Sequence, residues 1–134
     1  MARNLNRMVD TMTYDGLISG LTPEAKVKVV TIRKLGAAAT LVRGTILAKS
    51  SGSAGDDKYV ILGTTAATNE TLTADCILAD DIDVGTANDE NAAVYDMGCF
   101  DPAKLTVKSG YTITEADIDV LRERGIYLAA KSAI

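Results

Sequence analysis

Residues 26–35 read KVKVVTIRKL and residues 41–49 read LVRGTILAK. These two runs decide the fold class. Val27 and Val29 alternate with Lys26 and Lys28, the period-two spacing of a half-buried strand. Val30 and Ile32 then fall in the opposite phase, as a bulge would cause. The second run is also a strand. It carries Gly44 in its interior, where glycine marks a bend or a close backbone approach. Residues 36–40 (GAAAT) between the runs read as a turn or an irregular link.

Further short strands follow. SSGSAGDD (50–57) is a loop by composition, and KYVIL (58–62) is a third strand. Residues 63–72 are Thr/Ala-rich and carry no clear pattern. The apolar run within DCILADDI marks a buried strand at 75–80. DVGTANDEN (83–91) reads as an acidic turn, and AAVYDMGCF (92–100) as another strand, with Gly98 inside it. Pro102 ends that segment, and Leu105, Val107 and Tyr111 form a last stretch before a helix.

The helix has the clearest local signals. Thr114 is a good N-cap, and Asp117 at the third helical position approximates a capping box. Ile113 and Ile118 have the spacing of a hydrophobic staple, and Gly125 stands where a C′ residue belongs. The spacing predicts a helix over 114–124, followed by a strand-like tail, IYLAAK. No repeat of 20–50 residues is present. The expected fold is mainly β (α+β): a small barrel or clip-like domain over 23–134 with one packed C-terminal helix.

Residues 1–22 (MARNLNRMVDTMTYDGLISGLT) differ from the rest. Their apolar residues, Leu5, Met8, Val9, Met12, Tyr14, Leu17, Ile18 and Leu21, follow no sustained period, and Gly16 and Gly20 interrupt them. Pro23 closes the segment. An extended arm that orders on a partner fits this composition. An amphipathic helix over 3–12, with Leu5, Met8, Val9 and Met12 on one stripe, is the other reading. Tyr14 is either an interface anchor or a tyrosine folded back onto its own domain.

Composition removes several function classes. The chain has 134 residues, the length of one domain. It has no histidine, which excludes Ser-His, Cys-His and His-metal arrangements within one chain. Two cysteines, Cys76 and Cys99, are too few for a disulfide framework or a Cys₄ zinc site. They lie on different expected strands, where they are either paired or free core thiols. With no tryptophan, 4% aromatic residues and a net charge of −4, nucleic-acid binding is not expected. No apolar run approaches the roughly 18 residues of a membrane helix, and MARNLNRMVDTM has no apolar core of a secretory leader.

Charge is unevenly placed. Residues 1–50 carry eight Lys/Arg against three Asp/Glu, whereas residues 51–101 carry one against eleven. This asymmetry either steers association with a partner or a second copy, or simply solvates one face. Asp80, Asp81 and Asp83, with Asn88, Asp89 and Glu90 nearby, supply oxygens suited to a hard cation. Gly85 stands where a fifth ligand would be needed, so a solvated acidic loop is expected and no metal site. Residues 50–55 lack the order of a phosphate-binding loop. No arranged catalytic set and no cofactor site are expected. A small-molecule pocket around Arg43, Gly44 and Thr45 is the remaining binding-module reading.

The joint order of three segments resembles the head decoration protein family of tailed bacteriophages, to which the decoration protein of phage lambda is related. They are YDGLI at 14–18, RGTIL at 43–47 and LRERGI at 121–126. The similarity runs from about Tyr14 to Ile126, and each segment is structural rather than catalytic. The resemblance implies a non-enzymatic β-clip or β-tulip domain, made in the host cytoplasm and carried on the outer surface of the virion head. It implies homotrimers at three-fold sites that cement the major capsid protein of the expanded shell against packaged DNA. It also implies an N-terminal arm that binds the capsid, here Leu5, Met8, Val9, Met12, Tyr14, Leu17 and Ile18, with the last three as anchors. A phage tail or fibre role is the alternative within the same class.

Overall fold

A computed structural model describes residues 16–20 and 23–129. The described chain is mainly β. Its strands are β1 (Ile18–Gly20), β2 (Lys26–Ile32), β3 (Ala39–Leu41), β4 (Ile46–Ser51), β5 (Tyr59–Ile61), β6 (Thr71–Leu78), β7 (Ile82–Val84), β8 (Glu90–Phe100) and β9 (Ile126–Leu128). A 3₁₀ turn spans Pro102–Lys104, and one α-helix, α1, spans Glu115–Glu123.

The order β8-β2-β5-β4-β6 closes on itself through pairing of β6 with β8, giving a small barrel-like sheet. Strand β8 is the longest element and organises both layers. Its first half pairs with β2 and β6, and its last residues pair with β1 and β9. The barrel interior is filled by Val30, Ile32, Leu47, Cys76, Leu78 and Val94. A second apolar layer lies under α1, where Leu17, Ile46, Ile77, Phe100, Leu121 and Ile126 are almost fully enclosed. Burial of each such side chain is worth about 1.5–3 kcal/mol.

The helix forms where its caps place it. Thr114 accepts from the Asp117 amide and Asp117 accepts from the Thr114 amide, both at 3.1 Å, completing the capping box. Gly125 follows at φ +96°, the left-handed C′ conformation. Leu121 and Ile126, both fully buried, then meet in the core.

Two of the expectations that change concern the opening strands. First, β2 has no bulge where the apolar phase switches; the register shifts only between Lys26 and Val27, where the extra residue is Asp96 of β8. From Val27 onward the pleat is unbroken. Val30 and Ile32 therefore face the interior, while Val27 and Val29 are 59% and 69% exposed. Lys28 shares the inner face and is held there by Asp75 at 3.8 Å. Second, 41–49 is not one strand. Leu41 ends β3, a turn containing Gly44 intervenes, and β4 begins at Ile46. Gly44 has φ +96°, and a Cβ there would stand 2.8 Å from the Lys104 carbonyl oxygen. The glycine is thus a place of close backbone approach, where the 104–106 strap crosses.

Candidate functional site

The described part of the N-terminal segment is tied into the sheet. Ile18 pairs with Phe100 and Gly20 with Cys99. The Asp101 amide donates to the Leu17 carbonyl at 2.8 Å, and the Leu17 side chain is 1% exposed. Ser19 Oγ donates to the Ala129 carbonyl at 2.7 Å, and the Ala129 amide donates to the Phe100 carbonyl at 2.9 Å. Residues 17–20 and Ala129 therefore meet at one place, the C-terminal end of β8.

Local sequence builds that place. Asp101 caps the 3₁₀ turn, accepting from the Ala103 amide at 2.9 Å, and Pro102 occupies its first position. The strap after the turn is stitched to β4, with Thr106 donating to the Gly44 carbonyl and Ile46 donating to the Thr106 carbonyl. Beside the strap lies an apolar groove of about 190 Å³. Its walls are Ile46, Pro102, Leu105, Val107, Ile118 and Leu128, with the staple residue Ile113 completing it.

Leu5, Met8, Val9, Met12 and Tyr14 lie outside the described residues. Leu17 and Ile18 are described: Leu17 fills the core, and Ile18 packs against it from β1. Sequence reasoning passed over Ser19 and Asp101, which hold this root in place. The Asp101-Pro102 pair, a cap followed by proline, was the signal available for one of them.

The other constellations spend their polar atoms on the fold. Arg43 Nη1 donates to the Ala79 carbonyl at 2.9 Å and to the Tyr95 hydroxyl at 2.6 Å. Its guanidinium carbon lies 5.4 Å from the Tyr95 ring centre. Thr45 is 2% exposed and donates to the Val42 carbonyl. Asp81 accepts from the Arg43 amide, Asp83 from the Thr40 hydroxyl, and Asp89 from the Lys34 amide. Among the described residues, no three acidic or cysteine side chains are grouped to hold a metal ion. Cys76 and Cys99 are free thiols. Burial pushes the Cys76 thiol far above its usual range, and Asp75 adds to the shift.

On strand β6, Asp75 is 4% exposed and lies 2.7 Å from Arg124. Burial, with Asp75 beside it, also raises the Tyr59 hydroxyl well above the ordinary tyrosine range. The backbone edge of β2 facing away from β8 is unpaired from Lys26 to Thr31 among the described residues. Val27 and Val29 stand in solvent there.

The described domain is β-rich and commits its polar clusters to its own folding. The family model for bacteriophage lambda head decoration protein D matches residues 10–126, and the chain belongs to that family. It is a decoration protein of a bacteriophage capsid, which places it on the virion head rather than the tail. No individual curated protein matches the chain.

Proposed function

We propose that the protein binds the outer surface of the expanded head as a homotrimer at three-fold positions and stabilises the shell against packaged DNA. Its partner is the major capsid protein, and its role is mechanical rather than enzymatic. The N-terminal arm, residues 1–22, makes the contact. Leu5, Met8, Val9 and Met12 supply apolar surface, and Tyr14, Leu17 and Ile18 form the root.

The observation that carries this reading is the root itself. The arm's last residues are anchored by β1 pairing and by the buried Leu17. A load on the arm is therefore delivered to β8 and the core. An extended arm adding to a sheet edge gains main-chain hydrogen bonds. One arm pays ordering entropy and binds weakly, whereas three arms on one trimer raise avidity by about 10²–10⁴. The exposed Val27 and Val29 on β2, whose outer edge is unpaired beyond Ile32, support self-association by offering apolar surface to a second copy.

The test uses DNA-filled heads lacking the protein. Adding it back should restore resistance to rupture, with density over the three-fold positions in electron micrographs. Unchanged fragility, or density elsewhere on the head, contradicts the proposal.

A further inference from the structure

We propose that the cleft between strands β6 and β8 and the C-terminal end of α1 binds a primary ammonium group, with Asp75 and Asp96 as its acceptors. The cleft encloses about 380 Å³ and is walled by Lys28, Asp75, Asp96, Glu123 and Arg124. Two carboxylate oxygens in it, Asp75 Oδ2 and Asp96 Oδ1, are buried and accept no hydrogen bond among the described residues. Buried polar atoms of a folded domain almost always have partners, so two left open on one cleft call for a donor.

The backbone builds the cleft. On β6, Ala74 pairs with Ala48 and Cys76 with Leu47, which leaves Asp75 as an extra residue. On β8, Tyr95 pairs with Val27 and Met97 with Lys26, which leaves Asp96 extra in the same way. A β-bulge re-aims the side chain it carries. Both bulges lie just beyond Ile77 and Tyr95, the last pair that joins β6 to β8. Where that pairing ends, each strand contributes an aspartate to the gap.

Charge selects the ligand. Three carboxylates face two cations in the cleft. Both cations are spent on Asp75: Arg124 lies 2.7 Å from Oδ1, and Lys28 lies 3.8 Å from Oδ2, too far for a hydrogen bond. The Tyr59 hydroxyl also lies beside Asp75, so Asp96 is the acceptor that most lacks a donor. The end of α1 adds to the pull on a cation, because its last carbonyls carry partial negative charge. A metal ion does not fit, since no three acidic or cysteine side chains among the described residues are grouped to hold one. An ammonium does fit. It presents three rotatable donors, and its hydrogen bonds to carboxylates are charge-assisted.

This inference stands apart from the capsid reading, because the free protein tests it. The probe is n-butylammonium chloride, followed by NMR on the full-length protein. Tetramethylammonium chloride, which has no N–H donor, is the control at equal concentration. Butylammonium should shift the Asp75, Asp96 and Arg124 signals saturably and leave those of Asp83 unmoved. Asp96→Asn should weaken that binding by about tenfold or more, the worth of one charge-assisted hydrogen bond. Asp80→Asn removes the same charge from an exposed position outside the cleft and should leave binding unchanged. Glu123→Gln, on the exposed helix end, is the second variant and should weaken binding severalfold without disturbing the barrel. Equal shifts with tetramethylammonium, or shifts that never saturate, overturn the proposal. So does binding at parent strength by Asp96→Asn or, where that variant does not fold, by Glu123→Gln. The source of the ammonium is read on expanded heads. Displacement of bound protein by butylammonium, and not by tetramethylammonium, supports the proposal with a lysine of an adjoining chain as the source. Retained binding supports it with a free amine as the source.

Discussion

The Arg124 guanidinium stands 2.7 Å from the carboxylate of Asp75, so the residue closing helix α1 is tied to strand β6 of the barrel. Asp75 is 4% exposed, and its remaining cation, Lys28, is 3.8 Å away. Removing Arg124 leaves a buried carboxylate poorly compensated. Arg124→Ala should cost about 1–2 kcal/mol in urea unfolding, less than a fully buried pair loses, because the guanidinium is nearly half in solvent. Lys28→Ala should cost less than Arg124→Ala, given the longer distance. The reverse order would contradict the assignment of Arg124 as the main partner.

Acid should unfold the protein through a second network. The Ala67 amide, the Ser50 hydroxyl and the Arg33 guanidinium hold Glu70 well below its usual range, at about 2 instead of 4.5. Hydrogen bonding to Arg33 chiefly holds Asp56 at about 2 instead of 3.8. Both folded-state values are depressed, so the stability they confer is fully present above about pH 4.5 and is lost as pH falls toward 2. Urea midpoints measured across that window should fall with pH, and Glu70→Gln should flatten the slope. An equally steep slope in Glu70→Gln would rule out this network as the source.

Gly44 is irreplaceable for two reasons that act together, its φ of +96° and the Lys104 carbonyl 2.8 Å from any Cβ. Gly44→Ala should destabilise by about 1–3 kcal/mol in thermal or urea unfolding. Gly85 has nothing within 4 Å of a Cβ, so Gly85→Ala should change stability by no more than about 0.5 kcal/mol. Equal costs at the two positions would contradict the close-approach argument.

Self-association should depend on the open edge of β2. Val29 is 69% exposed, and a lysine there places a charge on that edge without touching the core. Analytical ultracentrifugation should find the parent protein trimeric at high concentration and Val29→Lys shifted toward the protomer. A trimer mass retained by Val29→Lys would exclude this edge from the interface.

Much of the fold was legible because its signals are local. Thr114, Asp117 and Gly125 announce the helix within a dozen residues, and the apolar runs of β4, β6 and β8 announce buried strands. What escaped depends on distant partners. Strands β3 and β7 are three residues each and exist because Thr40 pairs with Asp83 across more than forty residues. In sequence, they read as a turn and an acidic loop. Val27 and Val29 look like core residues, yet the side of β2 that faces inward is set by the barrel's closure. Leu17 belongs by composition to the arm, and only the arrival of Phe100 and Leu121 beside it makes it core. The family itself was visible in the order of three structural segments, none of which identifies a site by chemistry.

The most direct test of the capsid-binding account is co-sedimentation with expanded, DNA-free heads, comparing the full chain with a form lacking residues 1–15. That cut leaves β1 and the buried Leu17 in place. The account predicts saturable binding of the full chain near about three copies per three-fold site, and its loss in the shortened form. Equal binding by both forms would contradict the arm as the anchor, and binding by neither would contradict attachment to the expanded shell.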